Sequence, residues 1–484
     1  MNLIILPNQL FPIIMIKKLN ITKVFLIEEP RYFTDFRFHK LKLVYHRASM
    51  KKYEYQLNKS KIKTEYIDFL KKPNYNLLNK NTTYYFNPID HNLDKKFNKI
   101  LSNANKIDNL NFLLTPKEIE ENKNLFYKNN KYSHESFYKF QRKRLDILMK
   151  NDKPVGDKWS YDTENRLALP KNISIPELPK IKKDKYYIEA KEYIEKHFST
   201  NYGSTDQWIY PIDNKTAIKW LHVFLSKRLN NFGPYQDAVS SENDFLFHSV
   251  ISPMMNIGIL PDIQVVEISI KYYNKNKSNI SIQSFEGFIR QVIGWRNYVY
   301  SIYLLEPKMY EQNFLNHKNK ISDKYWLGNT GIKPIDSIIH KIVKYSYAHH
   351  IERLMYLGNW FLINQVDPKE VHRIFMEWTI DAYDWVMVPN VMGMSQYADG
   401  GKMTTRVYFS SSNYIDKMSN YKKKSDDDWW KIWDAIYYIF IDKHINILSK
   451  NYATARQVKH WKNKSKKEKD EILELGEQYM FNKK

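Results

Sequence analysis

YAHHIERLM, residues 347–355, and WVMVPNVMGMSQYADGG, residues 385–401, hold the densest chemistry of this chain. The first places adjacent His349 and His350, and then Arg353, in what reads as a buried helix. Successive helical residues point about 100° apart, so the two imidazoles cannot share one metal from a regular helix. No HExxH pattern accompanies them, and a metal site is not expected. An imidazole with a pKa near neutrality can instead act as a general acid, or serve only as a hydrogen-bonded core residue. The second stretch carries Gly393, Gly400 and Gly401 among Asn390, Gln396 and Asp399. Glycines let backbone approach a ligand closely, so this loop is expected to wrap one.

Just upstream, Asp381 and Asp384 are three residues apart in TIDAYDW, which puts both near one face of a predicted helix. Buried carboxylates need donors, and a ring system with N–H groups, such as a flavin, would supply them. Exposure at a helix end is the ordinary alternative. In FHSVISPMMNIGIL, residues 247–260, Ser249 and Ser252 precede Pro253. Free amides and hydroxyls at a helix start suit a phosphate, although Ser–Pro is also a common cap. In EGFIRQVIGWR, residues 286–296, Glu286 and Arg290 pair across one helical turn. Trp295 beside Arg296 offers a ring to stack on a base and a guanidinium to grip a phosphate. The same residues also fit an amphipathic helix with a salt bridge. YWLGNTGIKPIDSI, residues 325–338, is a glycine turn entering a helix at Pro334.

The wider chain sets bounds on these readings. Its 484 residues allow two or three domains. The 76 Lys and Arg exceed 53 Asp and Glu, giving +23. A surplus of that size points to a polyanion, nucleic acid first, with lysine-rich codon usage as the other explanation. There is no cysteine. Disulfides, thiolate nucleophiles and cysteine-ligated clusters are therefore excluded. The apolar start MNLIILPNQLFPIIMIKKLN is broken by Pro7 and Pro12 and reads as a core strand and turn, not a signal peptide. No apolar run reaches the roughly 20 residues that span a bilayer. A soluble, non-secreted monomer in the cytoplasm, nucleus or nucleoid is expected. The lysine-rich tail after residue 456 reads as a solvated helix, available to phosphate.

Residues 1–130 alternate strand and helix, with strand candidates at 3–6, 24–27, 64–67, 83–86 and 110–114 and a helix over 38–57. That alternation implies a doubly wound parallel α/β sheet. The region contains no glycine, so a dinucleotide at its first strand turn is not expected. Residues 131–190 read as an extended linker with a basic helix at 136–150. Residues 191–484 read as helical, with helices at 187–198, 216–232, 283–303, 335–362, 368–385 and 430–449.

In this order the motifs resemble the photolyase/cryptochrome superfamily. TGIKPIDSIIHKI followed by YAHHIERLM resembles its TG-x-P-x-[IV]-D helix and its His-x-x-Arg segment. FHSVISPMMNIGIL resembles its flavin-phosphate segment. GWRNYVYSIY, DAYDWVMVPNVMGMSQYADGG, SSSNYIDKMSNY and the linker's GDKWSYDTENRLALP resemble the prokaryotic branch that usually carries an iron–sulfur cluster. The resemblance spans nearly the whole chain. It implies an α/β antenna domain and an all-α domain holding FAD through Ser249, Ser252, Asn256, Asp381, Asp384, Met387 and Asn390. It also implies light-driven repair of UV-damaged DNA, leaning to (6–4) photoproducts, with cyclobutane dimer repair, a cryptochrome-like photoreceptor or a flavin-free nucleic-acid binder as alternatives. By motif, His350 matches a proton-donating histidine, His349 its support and Tyr408 a lesion-side tyrosine. Arg290, Trp295 and Arg296 would contact DNA. Asn8, Gln9 and Glu28 would hold a lumazine-type antenna. The cluster ligand positions fall on Pro334, Lys422 and Ser425, so no cluster is expected. The usual outer relay rings fall on Ile374 and Phe375, which leaves Trp326, Trp378 and Trp385, with Trp360 in addition, to carry electrons. Met387 stands where the branch has a glutamate.

Overall fold

The computed structural model describes residues 1–71, 73–423 and 427–481. Its N-terminal part is a five-stranded, all-parallel sheet of order β3-β2-β1-β4-β5. The strands are β1 Asn2–Ile5, β2 Lys23–Ile27, β3 Lys63–Ile67, β4 Thr83–Phe86 and β5 Asn105–Ile107. β1 and β2 are central and nearly wholly buried, as their unbroken apolar runs require of a sheet covered on both faces. The helix Lys40–Lys59 packs between this sheet and the rest of the chain and is buried along most of its first half. The remainder is largely helical, so the expected α/β-plus-all-α architecture is the observed one.

The fifth strand is not at 110–114. Those residues leave the sheet and plug into the helical part. Phe112 stacks on Tyr300 with ring centres 3.8 Å apart. Asn111 donates to the Met255 carbonyl at 2.7 Å. Their apolar character serves an inter-domain contact, while short, polar Asn105–Ile107 completes the sheet edge. The same boundary is crossed by the Leu10 amide, which donates to the Ile257 carbonyl at 2.9 Å, and by Tyr45, whose hydroxyl donates to Pro211 at 3.1 Å.

Several expected helices are interrupted. The linker helix runs over His134–Leu145 and ends at Asp146 in the left-handed region. The 216–232 helix divides at Arg228. The 335–362 helix stops at Tyr345 because Ser346 is left-handed, φ 54°. The 368–385 helix stops at Trp378, and residues 379–383 form a loop. The tail is not simply solvated. Lys466–Tyr479 packs on Trp429–Lys443, and Gly476 sits where a Cβ would lie 2.6 Å from Ile439. Where the resemblance places cluster ligands, Pro334 opens a helix and Lys422 donates to the Asp416 carbonyl; Ser425 lies outside the described residues.

Candidate functional site

Three helical segments of this half each contain a wide π turn: Arg290–Arg296, Glu352–Gly358 and Pro389–Ser395. All three turns face one cleft of about 270 Å³. Wide turns inside α-helices recur at functional sites because they re-aim side chains. Each contains a glycine, and two of them touch: a Cβ on Gly358 would lie 2.7 Å from the Ser395 hydroxyl. The cleft's walls also include Ser249, Ser252 and Asn256 from the segment after residue 247, the loop around Asp381, and the Trp385–Met387 turn.

Asp381 is the polar centre of one wall. It takes the Ser252 hydroxyl at 2.6 Å and pairs with Arg353 at 2.8 Å. The Asn256 amide donates to the Asp381 carbonyl at 2.6 Å. Burial opposes the charge on Arg353, but Asp381 more than restores it and its pKa is raised. Asp381 therefore lies in a loop, not on a helical face shared with Asp384. Asp384 points away from the cleft. It binds Arg31 of the α/β half, and His372 at 3.0 Å. Burial favours its neutral form, but the His372 and Arg31 contacts outweigh this and keep its carboxyl below the usual range.

The histidines are not on one helix. His349 ends the 346–349 break and is buried, whereas His350 starts the next helix and opens into the cleft. His349 stacks on His248, ring centres 4.2 Å apart and planes at 16°. The His349 amide donates to Glu352 at 3.0 Å, and Glu352 is paired with buried Lys341. The His248 Nε2 lies 2.8 Å from the Gln236 carbonyl, which fixes the proton there and leaves a lone pair on Nδ1. Burial, with Arg353 beside it, pushes His350 down to about 4. Burial likewise lowers His248 to about 4 and His349 further. The imidazole near neutral pKa expected from the sequence is thus a neutral one at pH 7.

The Nδ1 atoms of His248 and His349, the Gln236 Oε1 and one Arg296 Nη are buried without a protein partner, and all four residues line the cleft. Buried polar atoms without partners are costly. Their convergence on one apolar-walled space fits a ligand with both donors and acceptors. His248, Gln236 and Phe375 were not foreseen as parts of this wall. For His248 the signal was its position immediately before Ser249.

The remaining expected residues separate. Trp295, Trp385, Met387 and Asn390 face the cleft, and the Trp295 Nε1 lies 3.2 Å from Asn390. Arg290 and Arg296 do not form a free phosphate grip. Arg290 is buried against Glu286 at 3.2 Å and Asp162 at 3.0 Å. Arg296 holds Asp262 at 2.6 Å and lies over the Trp385 ring. Tyr408 is half-buried beside Arg406, 5.3 Å from its ring, outside the cleft wall. Trp326 lies in a separate surface groove, not next to the cleft, while Trp378 is fully buried 5.8 Å from it. The glycine loop closes on itself: Asp399 accepts the amides of Gly401 and Met403 at 2.9 and 2.7 Å.

Two of the three antenna candidates are engaged by protein partners. Glu28 is consumed by Arg47 at 2.9 Å, the Phe69 amide at 3.0 Å and the Tyr66 hydroxyl. Gln9 donates to the Phe86 and Asn87 carbonyls, both at 3.3 Å. Asn8 borders a cavity of about 10 Å³, room for about one water. A lumazine does not fit there.

A family model described as deoxyribodipyrimidine photo-lyase-related protein matches residues 3–210. A (6-4) photolyase of Agrobacterium fabrum is 34% identical over 336 residues, covering 68% of this chain and 66% of that protein. The alignment thus spans just under two thirds of the relative's length. A bacterial class III photolyase from Agrobacterium tumefaciens superposes with TM-score 0.59 at 14% identity, covering 95% of this chain and 98% of that one. A cryptochrome from Synechocystis superposes with TM-score 0.56 at 13% identity, covering 86% and 88%. Both likenesses are of fold.

Proposed function

The chain belongs to the photolyase/cryptochrome superfamily, and on that premise we propose that it is a light-dependent DNA lyase holding FAD in the cleft and acting on (6–4) photoproducts. The observation that carries this reading is the convergence of unpartnered Gln236, His248, His349 and Arg296 atoms on the apolar space beside the Ser252–Asp381–Arg353 node. Such a set suits a flat, polar-edged ring system with a charged tail. Ser249, Ser252, Asn256, Arg353, Asp381, Met387 and Asn390 would hold it. Bound reduced flavin, on absorbing blue light, would lend an electron to two joined neighbouring pyrimidines and take it back once the bond between them has broken.

The protein's own part is to bind, orient and exclude water. A damaged base must leave the duplex to reach a cleft, and Trp295 offers it a stacking face. His350 opens into the same space. There its N–H can donate to the lesion, and an anionic ligand nearby would raise its proton affinity. Rings also lead inward from the surface. Trp326, Trp378, Phe361 and Phe375 follow one another at 5.8, 6.5 and 6.4 Å, and Phe375 is in the cleft wall. Trp326 and Trp378 are the stations we assign to electrons entering the site; Phe361 and Phe375, whose rings are too hard to oxidise, only fill the gap between Trp378 and the cleft. With +23 overall, affinity for DNA should be salt-sensitive and independent of sequence.

One observation favours a second reading. Arg353 pairs with Asp381 beside the open ring of His350, and a neighbouring guanidinium disfavours the imidazolium, whereas cyclobutane dimer splitting needs no acid. The experiment that decides is illumination of the purified yellow protein with oligonucleotides carrying one defined lesion each. Loss of the (6–4) product alone supports the leading reading, and loss of the cyclobutane dimer alone the second. A flavin-loaded protein that repairs neither supports a photoreceptor. A folded protein that retains no flavin ends all three.

A further inference from the structure

We propose that the exposed face of the Ala455–Lys462 helix, with Lys450 and Tyr452 before it, is a second DNA contact that grips the phosphate backbone of duplex flanking the cleft; this rests on the DNA reading above. Lys450, Arg456, Lys459 and Lys462 are all exposed. None of the four forms an ion pair among the described residues, although Lys464 and Lys467 next to them do. The opposite side of the helix is fixed. Val458 and Trp461 are buried, the Trp461 Nε1 donates to Asp442 at 2.7 Å, and its ring stacks on Tyr438. The cations are therefore held outward by a rigid element. From Arg456 to Lys462 the helix rises about 9 Å. One strand of a duplex presents two to three phosphates over that length, at about 3.4 Å each.

This surface is tied to the cleft. The Asn451 amide donates to the Thr405 carbonyl at 2.9 Å, and the Thr404 hydroxyl donates to the Gly393 carbonyl at 2.9 Å. Gly393 belongs to the wide turn whose Val391 and Ser395 face the cleft. Arg406, also exposed, stands on the connecting segment. Tyr452 follows Asn451 and is 100% exposed, a ring free to pack on a sugar or base edge. A lipid surface is disfavoured because the helix turns its apolar residues inward and leaves only cations outside.

The test uses the full chain with Lys450→Gln, Arg456→Gln, Lys459→Gln and Lys462→Gln combined. Binding to undamaged duplex is followed by fluorescence anisotropy between about 50 and 200 mM salt. Flavin content and light-driven repair of a lesion in a short single strand are measured in parallel. We expect the slope of log affinity against log salt to become shallower by about 3 to 4, at about 0.9 per lost phosphate contact. Short-strand repair and flavin content should be unchanged. The charge-keeping set Lys450→Arg, Arg456→Lys, Lys459→Arg and Lys462→Arg should retain the wild-type slope. An unchanged slope in the glutamine variant overturns the proposal, as does equal loss of slope in the charge-keeping set. If the wild type repairs nothing, the lyase reading fails, while the slopes still decide this surface.

Discussion

The Lys42 ammonium, on the helix Lys40–Lys59, donates to the Ala382 carbonyl at 2.6 Å and to the Met376 carbonyl at 3.3 Å. It thereby reaches from the α/β half under the loop that carries Asp381. Burial lowers its pKa to about 7 despite Asp381 and Asp384, so its charge is retained at a cost. Replacing a buried cation by an apolar group of similar size is often neutral for stability, but here two carbonyls lose their donor. Lys42→Met should lower the unfolding free energy by about 1–3 kcal/mol and weaken flavin retention by roughly tenfold, about 1.4 kcal/mol. Denaturation midpoints and flavin release, measured on one preparation, check both effects.

His350 makes the lesion class testable by pH. Its pKa of about 4, set by burial and then by Arg353, leaves a falling fraction of imidazolium as pH rises from 5 to 8. A repair step that needs the protonated ring should therefore speed up about tenfold per pH unit on acidification across that range. Repair that needs no acid should be flat. His350→Ala should slow (6–4) repair by at least about a hundredfold with flavin content intact. Full activity in that variant would make His350 a structural residue.

Acid should also unfold the protein early. Burial lowers His39, His248 and His444 to about 4 and His46, His134 and His317 to about 3. Each takes up a proton on unfolding wherever the pH lies between its folded value and about 6.5. Their contribution to stability is thus complete above pH 6.5 and is lost as the pH falls through the window below it. Each costs up to about 1.4 kcal/mol per pH unit. A few together rival the roughly 5–15 kcal/mol of a typical domain. Urea midpoints should drop steeply between pH 6.5 and 5. A constant midpoint over that interval would show that the buried imidazoles are hydrated or already charged.

Much of the fold was legible because its signals were local. Continuous apolar runs at residues 3–6 and 24–27 identified β1 and β2, since a strand covered on both faces needs no alternation. Asn105–Ile107 was missed because an edge strand of three mostly polar residues has no such run. The 110–114 run was misassigned because its one ring, Phe112, is spent on Tyr300 and Trp385 across the domain boundary. The site was legible in composition but not in geometry. Periodicity carried the 335–362 helix through Ser346, where one left-handed residue turns the chain and separates His349 from His350. Arg290 read as paired with Glu286, and it is, but its second partner, Asp162, is 128 residues away; Arg296 read as a free cation because its partner, Asp262, is 34 residues away. Gly393 was read as loop permissiveness, whereas it sits in a wide helical turn packed against Met403.

The ring path predicts a split between photoreduction and repair. Trp378 lies 5.8 Å from Trp326 and 6.5 Å from Phe361. Its Nε1 is buried without a partner, so replacing the indole by the smaller phenyl ring leaves a void but breaks no hydrogen bond. Trp378→Phe should slow light-driven flavin reduction by about tenfold or more, while repair after chemical reduction stays near wild type. Unchanged photoreduction would move the route to Trp385, which already stands in the cleft wall.

Gly358 holds two walls of the cleft together. A Cβ there would meet the Ser395 hydroxyl and the Arg353 carbonyl, each at 2.7 Å. The hydroxyl can rotate, but the carbonyl belongs to the backbone of the turn that aims Arg353 at Asp381. Relief of that contact therefore requires the Glu352–Gly358 turn itself to distort. Overpacking of this kind costs typically about 1–3 kcal/mol, against the roughly 0.4–1 kcal/mol that Ala gains over Gly by propensity. Gly358→Ala should lower stability by about 2 kcal/mol and displace the Arg353–Asp381 pair, so flavin retention falls with it. Gly358→Ala combined with Ser395→Gly should recover only part of the loss, because the Arg353 carbonyl contact remains. Full recovery in the double variant would place the whole strain on the Ser395 side chain.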